Sequence, residues 1–180
     1  IARFLYLTDG LNRRITFDHE AFQKAFLNRL NDARRKNHVR PLVLDKNLEA
    51  GAYARAKELA LYGNMRIDGA RHVRPDKRPY YTAYDYLKHK NPAYFIGENL
   101  IQFPLKKRGY DGSTALTIDP DILAEECFKA WEMSPSHRDN MLSPIYRKMN
   151  IQVYAGPNLR EEGAADEGIL VGTLGLSRNY

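Results

Sequence analysis

The chain has 180 residues, enough for one domain with a core of its own and too few for two. Its formal net charge of +6 suits anionic partners, but the basic residues are scattered, so nucleic-acid binding is set aside. A single cysteine, Cys127, excludes an intrachain disulfide and a cysteine-rich metal site, and no apolar run approaches the roughly 20 residues of a membrane span.

Beginning at Ile1 without a signal-peptide pattern, the chain is expected to be a processed or trimmed product. Ile1, Phe4, Leu5 and Leu7 are apolar enough to dock on the body, and Asp9-Gly10 marks a turn. Thr16 is the expected N-cap of a long helix to about Lys36, with Phe22, Phe26, Leu30 and Ala33 on one face. The basic run Arg34-Arg35-Lys36 then sits at the helix C-terminus, where cations suit the macrodipole. His19-Glu20 opens a zinc-protease pattern, but its second histidine position holds Gln23, so both are read as solvated first-turn residues. Pro41 to Leu44 is a short apolar link. Asp45 caps a second helix to about Tyr62, with Leu48, Ala52, Ala56 and Leu59 on one face and Gly63 as its stop.

Residues 64–79 read as a loop carrying Arg71-His72-Val73-Arg74. A short helix follows from Tyr81 to Lys90, with Tyr84 and Leu87 inward, and Asn91-Pro92 breaks it. Ala93 to Phe103 is a strand interrupted by Gly97-Glu98-Asn99. Glycine inside a strand marks a bulge or a close backbone approach, and the carboxylate beside it needs a reason. Leu105 to Thr117 reads as an exposed loop. Asp119-Pro120 starts a helix to about Met133, with Leu123, Cys127, Ala130 and Trp131 on one face. Cys127 lies in that stripe and is read as an inert core thiol, not a nucleophile. The chain then turns at Ser134-Pro135 and delivers His137 and Arg138 to whatever the helix packs against. Met149, Ile151 and Val153 alternate with Lys148, Asn150 and Gln152 as a half-buried strand. Arg160 to Asp166 is an acidic loop, and Ile169 to Leu176 a final internal strand in an antiparallel hairpin with the previous one. This order suits a sheet with helices on its faces.

Three positions stand out for chemistry: His72 in a loop, Glu98 beside Gly97, and His137 after the Ser-Pro turn. Their surroundings resemble one family. Leu27 to Arg34 leading to Pro41 through Leu48, Arg71 through Asp76, Gly97-Glu98-Asn99-Leu100, and Trp131 through Leu142 are together similar to the CAP superfamily. These are the cysteine-rich secretory, antigen 5 and pathogenesis-related proteins, and the likeness is to the bacterial SCP-like branch. It spans about Phe17 to Leu176, giving an N-terminal extension over 1–16 and a CAP domain over 17–180.

The resemblance implies an α/β/α sandwich with a central, mainly antiparallel sheet and one open cleft lined by His72, Glu98 and His137, with Ser134 and Arg138 beside them. Eukaryotic members carry a second glutamate three residues after the tryptophan, where this chain has Ser134. Glu132 falls on the solvent side of the helix and Glu126 at the edge of its apolar face. His72 and His137, with Glu98 as a third group, could hold Zn²⁺ or another divalent cation with open positions for water or ligand. Affinity for an ion should fall as the histidines protonate. Without metal, a His-Glu pair is a general acid-base couple. The resemblance implies a secreted or surface protein that binds a small molecule, lipid, peptide or cell-envelope component, ahead of any established reaction. A metal-assisted or histidine-based hydrolase acting on peptides or wall material is the alternative, and an interaction module with a vestigial cleft is a third.

Overall fold

The computed structural model describes residues 10–90, 94–111, 115–157 and 168–178. Ile1, Phe4, Leu5 and Leu7, the Asn91-Pro92 break and the acidic loop lie outside them. The elements in chain order are β1 (Ile15–Thr16), α1 (His19–Lys36), β2 (Val43–Leu44), α2 (Glu49–Tyr62), β3 (Ile96–Pro104), β4 (Leu116–Thr117), α3 (Pro120–Glu132), α4 (Pro135–Leu142), β5 (Lys148–Gly156) and β6 (Ile169–Ser177). A 3₁₀ segment, Tyr80–Leu87, stands where a short α-helix is expected.

The main sheet has the order β2-β5-β6-β3. β5 and β3 flank β6 antiparallel, and the two-residue β2 adds a parallel edge to β5. The sheet is therefore mixed but mainly antiparallel, with the final strand at its centre. Its two faces are read from alternate residues. Leu170, Leu174 and Leu176 of β6 join a core with Phe22, Phe26 and Leu30 of α1 and Leu123, Cys127 and Trp131 of α3. Ile169 and Val171 face the other way and pack with Ala56, Leu59 and Ala60 of α2. Helices on both faces of one sheet make the α/β/α sandwich.

That second helical layer corrects the reading of β5 as half-buried. Its polar residues are covered too: Asn150 and Gln152 are 1% and 4% exposed. Their amides are satisfied internally, Gln152 donating to Asn150 and Asn150 to the Asp45 carbonyl. An alternating pattern reports which residues are polar; it cannot report a second layer that covers them, or partners such as the Asp45 carbonyl.

Other differences have equally local causes. Asp18, not Thr16, caps α1 by accepting from the Ala21 amide, because Thr16 is drawn into β1 and pairs with Thr117. The described part of Leu105 to Thr117 is mostly exposed, as expected, but it is anchored to the core. Leu105, Tyr110 and Leu116 are buried, and Leu105–Arg108 form a 3₁₀ turn. Ala130 is exposed, and Ala124 takes its place in the α3 stripe. After α3, Ser134 stands at an N-cap position and Pro135 at the first position of a second helix, α4. The turn after Met133 thus has helical continuation, which fixes His137 on a rigid element.

The buried end of the α1 stripe is Arg34, not Ala33: Arg34 is 0% exposed. Its guanidinium donates to four carbonyls, those of Arg40 (2.8 Å), Met141 (2.6 Å), Ser143 (3.1 Å) and Tyr146 (3.4 Å). It ties α1 to the C-terminal end of α4 and to the segment entering β5, and so anchors the helix that carries His137.

Candidate functional site

The site is built around β3, the edge strand of the sheet. Successive residues of a strand point to opposite faces. Glu98 faces the α2 layer, where it meets Arg55, and Asn99 faces the α4 side, where it donates to the His137 carbonyl at 3.1 Å. Gly97 is the close approach that its sequence context anticipates. A β-carbon there would lie 2.1 Å from the Tyr146 hydroxyl. The outer edge of β3 is closed by side chains: Trp131 donates to the Leu100 carbonyl at 3.0 Å and Asn140 to the Glu98 carbonyl at 3.4 Å. Trp131 is therefore the strut between α3 and this edge.

Glu98 lies at the centre of an ion network. Its side chain and that of Arg55 are both 0% exposed, and they meet through two parallel bonds, Nε to Oε2 at 2.7 Å and Nη2 to Oε1 at 2.9 Å. Arg55 also donates to Glu58 at 2.6 Å and to the Val73 carbonyl at 3.3 Å. Glu58 in turn holds Arg74 through bonds of 2.9 and 3.0 Å. The loop around His72 is thus pinned on its C-terminal side by Arg55 and Arg74. His72 itself has φ 58°, a left-handed backbone that a non-glycine residue adopts only when its surroundings hold it there.

His72 Nδ1 lies 3.1 Å from Glu98 Oε1. Burial pushes the Glu98 carboxyl up, but hydrogen bonds from Arg55 and His72 outweigh it and hold the group below the ordinary carboxylate range. An ionised carboxylate only accepts, so Nδ1 carries the proton, and in the neutral ring Nε2 presents a lone pair. His137 reaches the same place from α4. Burial, together with His72 and Arg71 nearby, lowers its pKa from the ordinary histidine value.

His72, Glu98 and His137 line one open recess of about 400 Å³, with Arg71, Asn140 and Tyr146. The three residues singled out in the sequence therefore converge. Ser134 and Arg138 are not among the lining residues; Ser134 stands at the N-cap position of α4, and Arg138 is exposed one helical step beyond His137. Ser136 and Asp139 line the recess instead. Glu126 and Glu132 are both exposed, Glu126 paired with Arg108, so neither supplies a second cleft carboxylate. Cys127 is fully buried, and burial pushes its thiol far up, which removes it as a nucleophile.

The donor set bears on a metal ion in a specific way. Both Glu98 oxygens are occupied by Arg55 and His72, and among the described residues no three His, Cys, Asp or Glu side chains are grouped to hold an ion. Glu98 fits the role of a carboxylate behind a histidine, fixing its tautomer, rather than that of a ligand. His72 Nε2 and His137 remain as donors.

Arg55 escapes a sequence reading, although its position held a signal. It falls three residues after Ala52 and four before Leu59, so it lies in the apolar stripe of α2. A charge in a buried stripe implies a buried counter-charge.

The chain belongs to the CAP family, the Cysteine-rich secretory protein family, whose sequence model matches residues 27–171. No curated protein matches it. Among solved structures it is similar to an extracellular protein containing a SCP domain from Bacillus anthracis, at 15% identity and a TM-score of 0.55 over 89% of this chain. It spans 41% of that protein's length. It is also similar to an outer surface protein from Borrelia burgdorferi, at 18% identity and a TM-score of 0.54, covering 88% of this chain and 95% of that one. At these identities the likeness is one of fold. Among the described residues, no helix is long and apolar enough to cross a membrane.

Proposed function

We propose that this CAP domain acts outside the cell or at its surface and binds a ligand in the recess over β3, with His72 and His137 as the contacting pair. One observation carries this reading. Two imidazoles, from a loop on one side of the sheet and a helix on the other, converge on an open recess whose buried carboxylate is already neutralised by Arg55. Glu98 therefore leaves the holding of any cation to the imidazoles. On the rim the guanidinium of Arg71 stands against the carboxylate of Asp139, and Arg71 offers its donors beside the two imidazoles, so a ligand group rich in acceptors is favoured there. The volume of about 400 Å³ lies in the range of small-ligand sites. The kinship with extracellular and surface proteins supports the location.

A divalent cation belongs to the same reading at the two imidazoles, with Glu98 behind His72; it would supply a Lewis acid with open positions. A hydrolase is the second reading, favoured by the His72–Glu98 contact, which orients an imidazole as a general base would need.

The test follows the side-chain NMR signals of both histidines during titration with inorganic phosphate and, separately, Zn²⁺. Saturable shifts of His72 and His137 over one concentration range, abolished in the other by either single alanine replacement, are expected. If the two signals respond at unrelated concentrations, or neither responds to either probe, the shared site is refuted.

A further inference from the structure

The recess does not end at the histidines. Ile145 lines it and also lines a second recess of about 230 Å³ formed with Pro144, Arg147 and Arg178. The backbone explains the junction. Phe95 precedes β3, Arg178 follows β6 and Arg147 precedes β5, so all three emerge at one end of the sheet. The Arg178 amide donates to the Phe95 carbonyl at 3.3 Å and the Arg147 amide to the Ser177 carbonyl at 2.8 Å.

Charge and surface here are both unusual. Arg147 donates from Nη1 to the Pro144 and Tyr146 carbonyls. Beneath it lies Arg34, 0% exposed and held by carbonyls. Among the described residues, no carboxylate pairs with Arg34, Arg147 or Arg178. A buried cation without a counter-ion raises the potential of the surface above it, since the interior screens it poorly. Beside this surface stands an apolar platform: Phe95 and Ile145 are 48% and 42% exposed. Phe95, which lines the first recess, stacks beside Tyr146, with centroids 6.3 Å apart and planes at 21°.

We propose that Phe95, Arg147 and Arg178 form a subsite for a sugar unit bearing a carboxylate or phosphate, part of an acidic oligosaccharide whose neighbouring unit lies against His72 and His137. The claim rests on the cleft reading for its inner unit. A sugar ring presents a C–H face that suits the negative face of an aromatic ring, and its acid group suits paired guanidiniums. Two other occupants fit less well. An extended peptide would add along the edge of β3, but Trp131 and Asn140 already bond its carbonyls there. An acyl chain needs an enclosed apolar tunnel, whereas both recesses are open and each is lined by arginine.

The experiment is calorimetric titration with galacturonic acid hexamer, a phosphorylated oligomannose, neutral maltohexaose and hexaglutamate, on wild type, Arg147→Gln/Arg178→Gln, Phe95→Ala and His72→Ala/His137→Ala. Binding of one acidic sugar, and not of the neutral one, is expected; which acidic sugar binds distinguishes carboxylate from phosphate. The arginine pair should cost about tenfold or more in affinity, and Phe95→Ala about threefold to tenfold. Loss in the arginine and phenylalanine variants but not in the histidine variant keeps the subsite and removes the cleft reading. Loss in the histidine variant alone removes the subsite. No binding of either acidic sugar, or equal binding of hexaglutamate, overturns the proposal.

Discussion

Replacing Arg55 with methionine removes the cation that lets Glu98 remain ionised inside the protein. Both side chains are 0% exposed, so solvent cannot take over. The carboxylate would be left with His72 as its partner, and breaking a buried pair in this way costs about 3–5 kcal/mol. With a urea m-value of about 2 kcal/mol per molar, the unfolding midpoint at neutral pH should fall by roughly 2 M. The pH dependence carries a sign. In the wild type the Glu98 carboxyl is held below its ordinary value, so its contribution is present above the ordinary carboxylate range and is lost as pH falls through the lowered value. In the variant, burial works against His72 alone and the pKa rises above the unfolded value. Acidification then relieves the penalty, and the gap between the two proteins narrows. Arg55→Met/Glu98→Gln should regain most of the loss at neutral pH, because a buried amide costs far less than a buried charge. Urea denaturation of the three proteins across acidic to neutral pH checks this. A single variant within about 1 kcal/mol of wild type, or a double variant no more stable than the single, would refute the account.

Arg34→Met should destabilise by about 2–4 kcal/mol, since several buried carbonyls lose their donor, and urea midpoints would measure it. The His137 signal should shift with it, because α4 loses its anchor, while a structural change confined to α1 would leave that signal in place. His137 should titrate below the ordinary histidine value by NMR, chiefly because it is buried, and its midpoint should rise in His72→Ala, which removes one of the neighbouring groups that lower it. Because the unfolded chain protonates first, stability from this group is present above the ordinary histidine range and lost as pH falls through the lowered value. Gly156→Ala should destabilise by about 3 kcal/mol or more: its β-carbon would lie 1.9 Å from the Ala60 carbonyl of α2, and backbone cannot rotate away. An unchanged melting temperature would show that α2 is less firmly seated than its packing implies.

The candidate site was partly legible in the chain. Gly97-Glu98 announced itself as a glycine and a carboxylate in an apolar run, and the structure gives each a reason: the Tyr146 hydroxyl against Gly97 and Arg55 against Glu98. His72 and His137 were marked by the resemblance, not by spacing. From its position alone Arg34 is a helix-end charge. Its four acceptors lie as near as 6 residues and as far as 112 along the chain, and no local pattern anticipates them.

What the sequence by itself determined is local. Asp119-Pro120 starts a helix because an aspartate can cap and proline lacks the amide that a first helical position leaves unbonded, and the stripes of α1, α2 and α3 name their inward faces. These are interactions among neighbours a few residues apart. Only the tertiary structure decided that Glu98 is buried between Arg55 and His72, that both imidazoles meet over an edge strand, and that Arg147 and Arg178 share a recess. Glu98 lies 43 residues from Arg55 and 26 from His72. A charge's role depends on what is packed against it, and burial beside a distant partner is a property of the assembled layers.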